Sequence, residues 1–174
     1  RQIESVAGVK RGLITYHFGS KKALWKASAH YIMSIAEVEL SEAIKQTEQL
    51  EAQLRLRFFV HAYVTFCAKH PELNRLMIQE GMDLDWRLDW LLERSVRPWY
   101  RQVCKIFEQA VTLGLVPSIN SHHFYYILTG AATLIFSNAV EAKALSGRNP
   151  MEAAVIEDHA NAVVNILALS GKKL

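Results

Sequence analysis

The scarcity of chain breakers constrains this protein most. Only four prolines and eight glycines occur in 174 residues, so long stretches run without interruption and favour helices. Apolar residues recur at helical spacing, and alternating β-branched runs are few. The expectation is an all-α chain of about eight helices. About half the residues are hydrophobic, 51 %, which suits a globular protein with a real core.

Breakers and caps set the expected boundaries. A first helix ends near Val6, before Ala7-Gly8-Val9, and a short helix follows at about Arg11 to Phe18. Gly19-Ser20 breaks it, and Ser20 can cap the next helix, Lys21 to about Glu48. Leu24, Ala27, Tyr31, Ile35, Val38 and Ile44 mark its inner face at helical spacing. Further helices are expected at about Leu50–Lys69, Pro71 to Gln79 or Glu80, Leu84–Leu113 with a kink or break at Pro98, Ser121–Leu145, and Pro150–Leu169.

Charge is unevenly distributed. Residues 1–31 hold six Lys or Arg against one Glu, and the remainder holds fourteen against sixteen. A basic head on a mildly acidic body fits a nucleic-acid-binding head, or a chance cluster of surface lysines. The expected division is a basic head at residues 1–31 and a larger body at residues 32–174.

The segment Ile3–Leu24 reads as the rear of a helix-turn-helix. Ala7 allows close helix approach, Gly8 permits positive φ, and Val9 plugs the core. Ile14 and Phe18, four apart, form an inward stripe. Arg11, Leu13, Thr15, Tyr16 and His17 then face outward. Arg11 can donate two hydrogen bonds to a guanine edge, and Leu13 and Thr15 can touch thymine methyl groups. Tyr16 and His17 can reach phosphates. Lys21 and Lys22 oppose the dipole of the helix they open, an arrangement that a docked phosphate would turn favourable. Two solvated lysines are the plainer alternative.

The run Ala7-Gly8-Val9-Lys10-Arg11-Gly12-Leu13-Ile14-Thr15-Tyr16-His17-Phe18-Gly19-Ser20-Lys21-Lys22-Ala23-Leu24 resembles the DNA-binding motif of the tetracycline-repressor (TetR) family. The close resemblance covers about 22 residues, and the rest agrees only in helix count and order. It implies an all-helical homodimer. A helix-turn-helix would bind a palindromic operator in double-stranded DNA, and a larger domain would bind a small effector. By position, Arg11, Leu13 and Thr15 would face bases. Tyr16, His17 and Lys21 would face the backbone, with Lys10 beside them in the DNA-contacting set. Three residues depart from the pattern. Lys10 stands where Ser or Thr usually caps the recognition helix, so that cap is expected to be lost or water-mediated. Thr15 replaces a usual Tyr, and Gly19 a common Lys. The chain opens on Arg1 rather than Met, and the full protein is expected to extend roughly 20–30 residues upstream, carrying the family's first helix.

In the body, Phe124, Ile127, Leu128, Ala131, Leu134, Ile135 and Asn138 lie on one broad face of the Ser121–Leu145 helix. The last helix offers Ile156, Ala160, Val163, Val164 and Leu167. With the resemblance, these faces are read as a four-helix dimer interface; without it, intrachain core is an equal alternative. The aromatics between Phe58 and Phe107 read first as ordinary core. A pocket among them, with Tyr63, Phe66, Trp90, Trp99 and Phe107 as lining and His61 and Glu80 as polar contacts, would suit a small apolar or aromatic effector. Pro98 is a candidate hinge for transmitting its binding.

No nucleotide-binding Gly-rich loop, Gly-x-Ser-x-Gly or His-x-x-x-His occurs, so no catalytic residue, metal ligand or cofactor is assigned. Cys67 and Cys104 have no metal spacing and fit small buried thiols in a reducing, cytoplasmic setting. The uncharged stretch Gln109–Val140 is broken by Gly114, Pro117 and Asn120, and its apolar part is short for a membrane span. A helical interaction module without DNA binding is the competing reading, as is a regulator with no small-molecule effector.

Overall fold

The computed structural model describes residues 2–167, and these are all-helical, with no strand among them. The chain divides into two compact units between Ile35 and Ala36, beyond the expected boundary at residue 31 and inside a helix.

The first unit contains α1 (Gln2–Val6), α2 (Leu13–Phe18) and the start of α3 (Lys21–Gln46). Helix α2 begins two residues later than expected. Gly12 sits at φ +87°, a left-handed conformation that ends any helix from Arg11. Ser20 Oγ accepts from the Ala23 amide at 3.1 Å, the cap its sequence position calls for.

The inner face of α3 agrees with the expected one only in part, with Leu24, Ile35 and Ile44 half-buried. Tyr31 and Val38 are about two-thirds exposed and Ala27 is exposed, whereas Ala29, Met33 and Leu40 are buried. Both sets recur at helical spacing, so periodicity alone did not separate them. The helix ends at Gln46 because Thr47 turns back, its Oγ1 donating to the Ile44 carbonyl at 2.6 Å. Arg55 then donates to the Thr47 and Glu48 carbonyls at 3.2 and 2.7 Å, covering acceptors that the helix end leaves open.

The second unit is built on α4 (Ala52–Lys69), which packs against α7 (Arg97–Thr112), α8 (Ser121–Ser137) and α10 (Ala153–Ile166). Its buried residues Leu56, Phe59, Val60, Tyr63, Val64, Phe66 and Cys67 cover more than one side of the helix. Pro71 opens α5 (Pro71–Glu80), which packs on α8. Asp85 caps α6 (Trp86–Leu91), accepting from the Arg87 and Leu88 amides at 2.7 and 3.3 Å.

Two expected long helices are interrupted. Leu92–Val96 is π-helical, so the interruption expected at Pro98 falls in the turn that precedes it, where a proline ring disturbs the helix. The Ser121–Leu145 helix stops at Asn138 and resumes as α9 (Ala139–Ser146). Arg75 Nε donates to the Ser137 carbonyl at 3.1 Å, an acceptor the interrupted ladder releases. The last helix starts at Ala153. Asn149 Oδ1 accepts from the Met151 amide at 3.1 Å and holds a turn around buried Pro150. Its expected end at Leu169 lies outside the described residues. No described helix is long and apolar enough to cross a membrane.

Candidate nucleic-acid interface

The first unit exposes what the second hides. Helix α2 has no buried residue. Ile14 is half-buried, but Phe18, expected inward beside it, is 40 % exposed. The reason is a shortage of cover, since among the described residues up to Ile35 only Ala29 and Met33 are buried apolar side chains.

Lys10, Arg11, Leu13, Thr15, Tyr16, His17 and Lys21 are all exposed. They do not form one surface. At about 100° per residue, Leu13, Tyr16 and His17 share a face, and Thr15 stands roughly 160° from Leu13. Leu13 and Thr15 therefore flank the helix on different sides and are not brought together as a base-facing pair. Tyr16 and His17 meet edge to face, ring centroids 5.3 Å apart.

A residue missed in the sequence organises this segment. Glu4 Oε1 accepts from the Gly12 amide at 2.8 Å, and the Glu4 carbonyl accepts from the Val9 amide at 3.1 Å. One α1 residue thus holds the turn before α2, its side chain taking the Gly12 amide and its backbone carbonyl the Val9 amide. No side chain caps the first turn of α2 itself, where the Lys10 carbonyl accepts from the Leu13 amide at 3.1 Å. The single acidic residue among six basic ones was the available signal.

The residues proposed as effector contacts divide among separate surroundings. Tyr63 and Trp99 touch, centroids 5.7 Å apart, and Phe59 joins them at 6.3 and 5.8 Å. Phe66 packs on the His70 ring at 4.8 Å, and Phe107 stacks on Phe124 at 4.0 Å. These rings fill space that an effector would need. His61 Nε2 lies 3.0 Å from Glu157 Oε2 on α10. Glu80 is buried and 3.8 Å from Arg87, and Trp90 is half-buried on α6. Two surface hollows lie elsewhere. One of about 350 Å³ is lined by Glu108, Thr112 and Ser121. The other, of about 450 Å³, is lined by Arg75, Ser137 and Glu141.

Burial shifts the ionisation of this interior. It raises the Tyr63 hydroxyl well above its usual range, with neighbouring Cys67 adding to the effect. Burial also pushes the Cys67 thiol up to about 12 and the Tyr125 hydroxyl up to about 12.

The residues read as a dimer interface also divide. Phe124, Leu128, Ala160, Val163 and Val164 are buried within the chain itself. These five side chains lie in the interior of the chain itself, where α8 packs against α4 and α7 and α10 packs against α4 and α8. Ala131, Ile135 and Leu167 are half-buried, and Asn138 is exposed. Ile127 and Leu134 remain 49 % and 58 % exposed.

No family model matches the chain, and no curated protein matches it.

Proposed function

We propose that this chain is a sequence-specific DNA-binding transcriptional regulator of the TetR type, acting as a homodimer on a palindromic operator. One observation carries the reading: a six-residue helix, pinned by Glu4 at Gly12, carries exposed Leu13, Thr15, Tyr16 and His17 between the exposed cations Lys10, Arg11 and Lys21. Arg11 is the base reader. Tyr16, His17 and Lys21 hold phosphates and set register. Leu13 supplies an apolar contact from the same face as Tyr16 and His17, and Thr15 serves a neighbouring strand or none. The dimer forms on what α8 and α10 leave uncovered, around Ile127, Leu134 and Ile166. Repression is relieved when a small apolar or aromatic effector opens the Phe59–Tyr63–Trp99 group and binds the non-DNA geometry more tightly.

The test is selection of duplexes from a randomised library at low salt by the full-length protein. An enriched inverted repeat is expected. Arg11→Ala should enrich a broader set, while Lys21→Ala should weaken all duplexes alike and reduce the salt slope by about 1. Retention of no duplex at low salt would reject DNA binding in favour of a helical interaction module. Native mass spectrometry of protein from its host reports the dimer mass and any retained effector together.

A further inference from the structure

The Leu92–Val96 segment changes the spacing of the helical ladder. The Arg97 amide donates to the Leu92 carbonyl, five residues back, where an α-helix would reach four back. The cause stands one residue further on. Pro98 has no amide hydrogen, and in an α-helix its ring would press on the Arg94 carbonyl four residues earlier. The wider turn relieves that clash. It also absorbs one residue more than an α-helical path would, so α6 stands one residue out of phase with a straight continuation of α7.

The packing at this junction is duplicated in sequence. Leu91 is fully buried, and half-buried Leu92 follows it directly. If the segment tightened to α, helix α6 would turn by about 100°. Each of its residues would step into its predecessor's place. Leu92 would enter the buried place of Leu91 with a side chain of the same shape. Leu91 would take the place of Trp90, and Trp90 would move to the exposed position of Asp89. Arg87 would leave Glu80, 3.8 Å away, and Leu88 would replace it.

We propose that α6 has two registers against α7: the π register described here, and an α register in which Leu92 replaces Leu91 in the core and Trp90 is exposed. Pro98 is the latch that favours the first. The switch stands independently of DNA binding.

Fluorine NMR of the full chain labelled with 5-fluorotryptophan tests it, with Trp90 assigned through Trp90→Phe. Pro98→Ala should displace the Trp90 resonance and raise its response to a soluble paramagnetic agent several-fold. Leu91→Ala should move it the same way, because the α register refills the emptied place. Adding Leu92→Ala to Pro98→Ala should return it toward the wild-type position, because the core then gains nothing from the shift. A Pro98→Ala protein that is helical by circular dichroism with Trp90 unmoved overturns the proposal, as does a displacement that Leu92→Ala leaves in place. Should Pro98→Ala fail to fold, Leu91→Ala carries the same reading, and an unmoved Trp90 there is decisive against it.

Discussion

The two units differ in what their side chains are used for. Up to Ile35, local devices hold the backbone: the Glu4–Gly12 hydrogen bond, the Ser20 cap and glycines at positive φ. Few side chains there are fully buried, and Leu13, Tyr16, Phe18 and Tyr31 are exposed. Beyond it, Phe124, Phe136, Leu56 and Leu128 are each at most 2 % exposed, and aromatic rings stack on one another. A surface that must meet a partner cannot also be buried in a core, and a core that supplies the stability frees another unit from that task. Substitutions should therefore separate cleanly, with body changes read as stability and head changes as binding.

The sharpest break of that contrast is Phe124→Ala. Phe124 is 2 % exposed and stacked on Phe107, so truncation should cost about 3–5 kcal/mol in thermal or denaturant unfolding. Tyr16→Ala, at a position 82 % exposed, should stay within about 0.5 kcal/mol, and on the proposed DNA-binding reading it weakens DNA retention. Equal stability losses from the two would erase the distinction.

Alkali probes the body next. Cys67 and Tyr125 are both held protonated by burial, with values pushed to about 12 from ordinary values of 9 and 10. Their folded values lie above the unfolded ones. The stability they contribute is therefore complete below about pH 9 and is lost as pH climbs toward 12. Tyr63 acts in the same direction. Melting temperature should fall across that window, less steeply in a Cys67→Ala, Tyr125→Phe variant. A slope identical to the wild type would detach the alkaline loss from these groups.

How much of this was legible in the sequence follows the range of each interaction. The all-helical class, the Pro71 start of α5 and the Ser20 cap are written in neighbouring residues, and a sequence reading reaches them. The buried face of α3 depends on what lies across from it, and two apolar stripes were available. The break at Asn138 needs Arg75 from another helix to satisfy the Ser137 carbonyl. The same holds for Phe124 and Val163, which are buried within the chain: an apolar helical face does not say whether its own chain covers it. Of the candidate interface, the exposure of Arg11, Tyr16 and Lys21 agrees with the expectation. The Glu4–Gly12 hydrogen bond joins residues eight apart, outside any local capping rule.

That hydrogen bond gives a head-specific prediction. Glu4→Ala should cost about 1 kcal/mol, the modest net worth of one exposed hydrogen bond. It should also loosen α2 enough to raise amide exchange at Gly12 and Leu13. Unchanged exchange at Gly12 would show that the turn holds itself, through Gly8 and Gly12 alone.

The smallest effect is expected where the body meets water. His61 bonds Glu157 across α4 and α10, and Asn161 adds a second donor at 3.0 Å. The His61 bond is the larger cause, and together they hold the Glu157 carboxyl below its usual range. A lowered folded value places the contribution above the ordinary carboxylate range, to be lost as pH falls through the lowered one. Both groups are solvated, so screening keeps the gain small. Glu157→Gln should leave melting at pH 7 nearly unchanged and slightly flatten the acid limb. If instead it lowered melting at pH 7 as much as a core truncation does, the α4–α10 contact would owe its strength to charge, and the contrast between an apolar body and a polar head would have to be redrawn.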